Sequence, residues 1–176
     1  FSVCSKQPFR FVPQSVNPAN QYVWRRDALP GISNPASSGS GIIDEVLVNT
    51  TNAPIVVTYR YSLVNASPCS TDQLVQVTVR PLPSLVSAKN VSVCSNTPVG
   101  YDPVSNMAGS SFSWSRAAVP GIANQAGVGL VNIIERLINT TTAPIDVKYI
   151  YTIANSNGCS NTDTVTVQVK PVPVAG

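Results

Sequence analysis

The sequence repeats itself at a fixed offset of 90 residues. Cys4 recurs as Cys94, Trp24 as Trp114, Pro30-Gly31-Ile32 as Pro120-Gly121-Ile122, Glu45 as Glu135, Asn49-Thr50-Thr51 as Asn139-Thr140-Thr141, and Cys69 as Cys159. Residues 1–86 laid on 91–176 give 36 identities without a gap. Self-similarity at one period means that one unit is built and then built again. The fold must therefore be complete in a stretch of roughly 90 residues, a length that suits a small single domain. The expected organisation is a first unit over 1–83 with its N-terminal strand truncated, a second over 84–173, and residues 174–176 starting a following unit or linker. Phe1 aligns with Val91, inside a unit, so the chain reads as a window on a longer array. Pro81-Leu82-Pro83 and Pro171-Val172-Pro173 read as short stiff joints, because proline fixes φ and favours extended backbone.

Within each unit the apolar residues alternate. Val75, Val77 and Val79 fall on one face and Gln76 and Thr78 on the other; Val165, Val167 and Val169 repeat the pattern. Ile55, Val57, Tyr59 and Tyr61 form a second stripe, echoed by Ile145, Val147, Tyr149 and Tyr151. Period 2 marks strands with one buried face. Further strands are expected around Tyr22–Arg26 and Phe112–Arg116, and at Ile42–Val48, where Ile and Val content favours strand over a short helix. With 15 prolines, no long helix is expected. Turn signals at strand spacing imply an all-β fold: tandem Ig-like antiparallel β-sandwiches.

The cysteines number two per unit, 65 positions apart in each. An even count at equal spacing in a strand-rich chain suggests one disulfide inside each unit, Cys4–Cys69 and Cys94–Cys159, and hence an oxidising, extracellular setting. Four reduced buried thiols are the alternative, which a mass measurement on non-reduced protein separates.

Composition narrows the chemistry. The chain holds no histidine, which removes Ser-His-Asp and Cys-His catalysis and histidine-ligated metals. A net charge of +3, without clustered basic residues, gives no footprint for nucleic acid. No apolar run approaches the ~18 residues of a spanning helix, so no membrane insertion is expected. Neither an enzyme motif nor a cofactor motif is present. The acids are few and mostly fail to recur; only Asp44 and Glu45 are adjacent, and the second unit keeps only the glutamate, a poor basis for calcium.

Among recurring side chains, Trp24 and Trp114 are expected in the core, together with Tyr59, Tyr61, Tyr149 and Tyr151. Arg26 with Glu45, and Arg116 with Glu135, recur jointly and are expected to form a structural ion pair in each unit. Gly39-Ser40-Gly41 and Gly127-Val128-Gly129 read as glycine-containing loops. Asn49, Asn65, Asn90 and Asn139 lie in Asn-x-Ser/Thr sequons of the kind that Asn- and Thr-rich sequence produces by chance.

The run Cys4-Ser5-x-x-Pro8, Trp24-x-Arg26, Pro30-Gly31-Ile32, Glu45-x-Leu47-x-Asn49-Thr50-Thr51-x-Ala53-Pro54-Ile55, Tyr59-x-Tyr61 and Cys69-Ser70 resembles the PKD-like repeats of Bacteroidota surface proteins. The second unit repeats it from Cys94 to Ser160. The resemblance covers essentially the whole chain. It implies an Ig-like sandwich, a bacterial cell-surface location, export by the type IX system as in gliding-motility adhesins, and no catalytic residues. Asp163-Thr164-Val165 also looks like that phylum's O-glycosylation motif, with Thr164 as acceptor; the first unit lacks it.

Three roles are carried forward. The first is a non-catalytic stalk or spacer segment of a large adhesin, its partners being neighbouring repeats of the same chain. The second is a building block of a self-assembling filament, its partners copies of itself. The third is a carbohydrate-binding module facing surface glycans or other cells, which would need exposed aromatics.

Overall fold

The computed structural model describes residues 1–14, 21–63 and 72–172. Cys69, Asn65 and the 174–176 stretch lie outside them. The described residues form twelve strands and no helix. These are β1 Ser2–Cys4, β2 Pro8–Phe11, β3 Tyr22–Arg26, β4 Ser37–Ser40, β5 Ile43–Val46, β6 Ile55–Leu63, β7 Gln73–Arg80, β8 Asn90–Cys94, β9 Ser111–Arg116, β10 Gly127–Leu130, β11 Ile145–Ala154 and β12 Ser160–Lys170. They divide into two compact units, Phe1–Leu82 and Pro83–Gly176.

In the first unit a five-stranded sheet runs β1-β7-β6-β3-β4, and β2 pairs with β5 in a second, two-stranded layer. All pairings are antiparallel except β1 with β7, which run parallel with Cys4 opposite Arg80. The second unit keeps this order as β8-β12-β11-β9-β10, again with its first and last strands parallel. Its second layer is reduced to isolated bridges, Pro98 with Arg136 and Tyr101 with Ile133. These stand 90 residues on from the Pro8–Val46 and Phe11–Ile43 pairings of β2 and β5.

The alternation explains the layers. On β7 every second residue, Val75, Val77 and Val79, is buried, and on β6 Val57, Tyr59 and Tyr61 point the same way. Phe9, Ile43 and Leu47 close over them from the other layer. The second unit buries Val147, Tyr149, Tyr151, Val165, Val167 and Val169 against Tyr101, Ile133 and Leu137. Each fully buried aliphatic or aromatic side chain contributes about 1.5–3 kcal/mol over exposure. The Pro-Gly-Ile motif is a turn: Ile32 N–H donates to Leu29 O at 3.0 Å, with Gly31 at φ 85°. Proline second and a left-handed glycine third define a type II turn, and Gly121 repeats it at φ 85°.

One local expectation changes. Gly41 turns the chain after β4, but the other glycines of these segments are in strands, not loops: Gly39 sits in β4, and Gly127 and Gly129 in β10. Each strand must carry a glycine because it lies under the tryptophan of the neighbouring strand, as described next.

Candidate functional site

The residues that recur most faithfully assemble into three buried devices per unit. The first is built on the ion pair. Arg26 on β3 and Glu45 on β5 meet in a two-pronged contact, Nε to Oε2 at 3.0 Å and Nη2 to Oε1 at 3.2 Å. Arg116 and Glu135 do the same at 3.0 Å in both prongs. The remaining guanidinium N–H groups donate to main-chain oxygens, Arg26 to Pro35 and Asp27, Arg116 to Gln125 and Ala117. Tyr59 on β6 completes the set by donating its hydroxyl to Glu45 Oε2 at 2.6 Å, and Tyr149 donates to Glu135 Oε2 at 2.7 Å. Burial pushes both carboxyls up, but the hydrogen bonds from arginine and tyrosine outweigh it and hold them below the ordinary range. Burial and the adjacent carboxylate push the Tyr59 and Tyr149 hydroxyls well up. In each cluster the arginine makes four hydrogen bonds and the tyrosine one, all within the unit. Sequence reasoning found the arginine and glutamate but took the tyrosine for plain core. The missed signal is that a buried phenol needs a partner.

The second device is an asparagine hub. Asn49 Nδ2 donates to Ala53 O at 2.8 Å and Val79 O at 2.9 Å, while Oδ1 accepts from Thr51 N–H and the Thr51 hydroxyl, both at 2.8 Å. Its own N–H donates to Ser5 Oγ at 2.9 Å. Asn139 repeats all five bonds with Ala143, Val169, Thr141 and Ser95. Both sequons are thus spent on folding: a buried amide making two donations is not a glycosylation acceptor. The hub ties the loop before β6 to the end of β7, and its counterpart ties the loop before β11 to the end of β12.

The third device is the tryptophan. Trp24 is 8% exposed and Trp114 7%, each donating its indole N–H to a main-chain oxygen, of Ile42 and of Asn132. Gly39 is the cross-strand partner of Trp24, and Gly129 of Trp114. A Cβ on Gly39 would lie 2.7 Å from Trp24 Cζ2. Tyr59 and Tyr149 meet the indoles edge-on. Tyr61 and Tyr151 are also buried and donate to the main-chain oxygens of Gly41 and Val131.

The cysteines depart from expectation. Cys94 is a free, exposed thiol, whereas Cys159 is disulfide-bonded, so the expected Cys94–Cys159 bridge does not form. The parallel pairing of β8 and β12 explains it. Cys94 stands opposite Lys170, the last residue of β12, while Cys159 immediately precedes its first. The ten residue steps of β12 separate them by roughly 33 Å, against a Cα limit of about 7 Å for a disulfide. The expected Cys4–Cys69 bridge falls on a residue outside the described ones; Cys4 itself is disulfide-bonded.

The remaining candidates are at the surface. Thr164 is exposed on β12, and its neighbour Asp163 accepts from Lys89 Nζ at 2.6 Å and Leu85 N–H at 2.8 Å, pinning the segment before β8. Asp44 and Glu45 alternate on a strand, so Asp44 faces out while Glu45 turns to Arg26. Among the described residues no three of His, Cys, Asp and Glu gather at one point. A groove of about 600 Å3 in the first unit is lined by Phe11, Tyr22, Tyr61 and Gln73 among others, without a carboxylate.

Residues 91–173, nearly all of the second unit, match the PKD-like domain family. The comparison with curated proteins gives no match. Among solved structures the chain is similar to Drosophila N-cadherin EC1-4, at 11% identity and TM-score 0.37, covering 96% of this chain and 47% of that one. It is also similar to the DIP-gamma IG1+IG2 pair, at 11% identity and TM-score 0.35 over 96% and 92% of the two chains. The tandem Ig repeats of Dlar give 13% identity and TM-score 0.32 over 97% and 93%. The chain thus spans about half the length of the N-cadherin structure.

Proposed function

We propose that this chain is a non-catalytic spacer segment of an extracellular adhesive protein, exported to a bacterial surface, in which sandwich units are repeated for reach. The observation that carries the reading is where the two units agree. Arg26, Glu45, Asn49, Trp24, Tyr59 and Tyr61 recur with their hydrogen bonds, and all serve the interior. The outward residues between them differ: Ser38, Ser40, Val56 and Arg60 become Val128, Leu130, Asp146 and Ile150. A repeated binding module would keep such outward strand residues; here they change while the buried framework is retained. Disulfide-bonded Cys4 and Cys159 fit an oxidising compartment. On this reading Thr164 is an exposed acceptor for O-linked sugar.

A second reading, self-assembly into a filament, is favoured by one feature of the second unit. Val128, Leu130, Ile134 and Ile150 are exposed there, Val128 at 82%. Sedimentation at micromolar concentration in reductant separates the two. A monomer is expected for the spacer, and defined multimers would move the assignment to the filament. Glycan-array binding that disappears on changing Tyr22, half-buried in the lining of the first unit's groove, would replace both with a carbohydrate-binding module.

A further inference from the structure

We propose that Cys94 is a disulfide site for a further unit, taking a cysteine that stands where Cys159 stands. Within the second unit the two cysteines lie at opposite ends of β12 and cannot meet, yet Cys159 is bonded. The second unit therefore offers one cysteine at each end of its last strand, and neither can bond the other.

Cys4 shows the same position bonded. It occupies the same position in the first unit, and there it carries a disulfide. The two surroundings agree bond for bond. Cys4 lies opposite Arg80, and the following Ser5 N–H donates to Arg80 O at 2.7 Å. Cys94 lies opposite Lys170, and Ser95 N–H donates to Lys170 O at 2.8 Å. A tight turn follows each, closed by Gln7 N–H to Cys4 O at 3.0 Å and Thr97 N–H to Cys94 O at 3.1 Å. Its second residue is left-handed in both, Lys6 at φ 67° and Asn96 at φ 63°. Cys94 thus has the backbone setting of a bonded cysteine while remaining exposed and free. The occupant is a further unit of the same kind, whether later in a longer chain or in a second copy of this one. In this chain the cysteine at the Cys159 position of the first unit is Cys69, 90 residues earlier.

The bond forms by thiol–disulfide exchange with a small-molecule disulfide such as oxidised glutathione. The Cys94 thiolate attacks the donor, giving a mixed disulfide and one released thiol. The incoming thiolate then attacks the Cys94 sulfur and releases the second. Two protein thiols lose two electrons and two protons, and the donor leaves as two thiols.

The test is incubation of the full chain with oxidised glutathione, followed by denaturing electrophoresis without reductant and peptide mapping. Multiples of 18.6 kDa are expected, with Cys94 joined to Cys69 and the ladder collapsing on reduction. Cys94→Ser and Cys69→Ser chains are each expected to stay single, and their equimolar mixture to stop at a dimer. The proposal is overturned if Cys94 ends as a free thiol or only as its glutathione adduct. It is equally overturned if Cys94 joins another Cys94, or closes on Cys69 of the same chain. Because the readout is a covalent link and not adhesion, the spacer role can fail without affecting it.

Discussion

Tyr59 and Arg26 hold the same carboxylate from two sides: the phenol donates to Glu45 Oε2 at 2.6 Å, and the guanidinium grips both oxygens. The arginine side chain is 2% exposed and the carboxylate 15%. The guanidinium also lies 6.0 Å from the tyrosine ring centre, close enough for a cation–π contribution. One cluster thus joins β3, β5 and β6, and with them the two layers of the unit.

Removing one member of such a cluster strands the others. Glu45→Ala leaves a guanidinium buried without its counter-charge, and a loss of about 3–5 kcal/mol is expected. Replacing the whole set by Arg26→Met, Glu45→Leu and Tyr59→Phe removes every polar group at once and is expected to recover most of that loss. Urea denaturation followed by the fluorescence of Trp24 in a Trp114→Phe background reads the first unit alone. A triple variant no more stable than Glu45→Ala would show that the cluster's worth lies in its net attraction rather than in avoiding orphaned groups.

The same cluster sets the pH window. Glu45 and Glu135 are held below the ordinary value of 4.5 despite burial, so their contribution is complete above that value and is lost as pH falls through the lower folded values. Tyr59, Tyr149, Tyr151 and Tyr61 are raised above 10 chiefly by burial; their contribution is complete below pH 10 and declines as pH rises toward the folded values. A stability plateau bounded on both sides is expected in urea midpoints measured across pH. The Glu45→Gln, Glu135→Gln double variant is expected to lower the plateau and flatten its acid edge. An acid edge unchanged in that variant would assign it to other carboxylates.

The strands were legible because a half-buried strand must alternate, and Val75, Val77 and Val79 leave no other reading. Recurrence identified Trp24, Arg26 and Glu45, since a side chain kept in both units is kept for a shared reason. The cysteines show where such reading stops. The unit's first strand lies beside its last, β8 against β12. Adjacency carries no direction, however, and the parallel orientation sends Cys94 to the far end from Cys159. Hydrogen bonding was likewise hidden. Asn49 looked like a sequon because the threonine that satisfies its amide oxygen is also what a sequon requires.

Gly39 and Gly129 are held by their tryptophans rather than by backbone conformation. A methyl group on Gly39 would sit 2.7 Å from the Trp24 ring, and Tyr59, 5.7 Å away and edge-on, stands against the indole. Gly39→Ala is therefore expected to lower stability by about 1–3 kcal/mol, the range for overpacking. It should also shift the Trp24 emission, and Gly129→Ala should do the same to Trp114. Unchanged emission and midpoint would mean that the sheet edge yields and the close approach is incidental.

Gly41 and Val131 occupy equivalent places, at φ 67° and φ 54°, and each accepts a 2.8 Å hydrogen bond on its main-chain oxygen, from Tyr61 and from Tyr151. The tyrosine bond fixes where that oxygen must point, so the backbone stays left-handed whichever residue fills the position. Glycine adopts it freely, whereas a residue with a Cβ loses about 1–2 kcal/mol, and branching at Cβ adds crowding. Against this, glycine's unfolded-state entropy costs roughly 0.5–1 kcal/mol. Gly41→Val is therefore expected to destabilise the first unit by about 2 kcal/mol, and Val131→Gly to leave the second unchanged or up to about 1 kcal/mol more stable. The matched pair of denaturation curves checks this. A Val131→Gly variant that loses stability as large as Gly41→Val would show that the valine side chain contributes packing that outweighs the strain of its backbone.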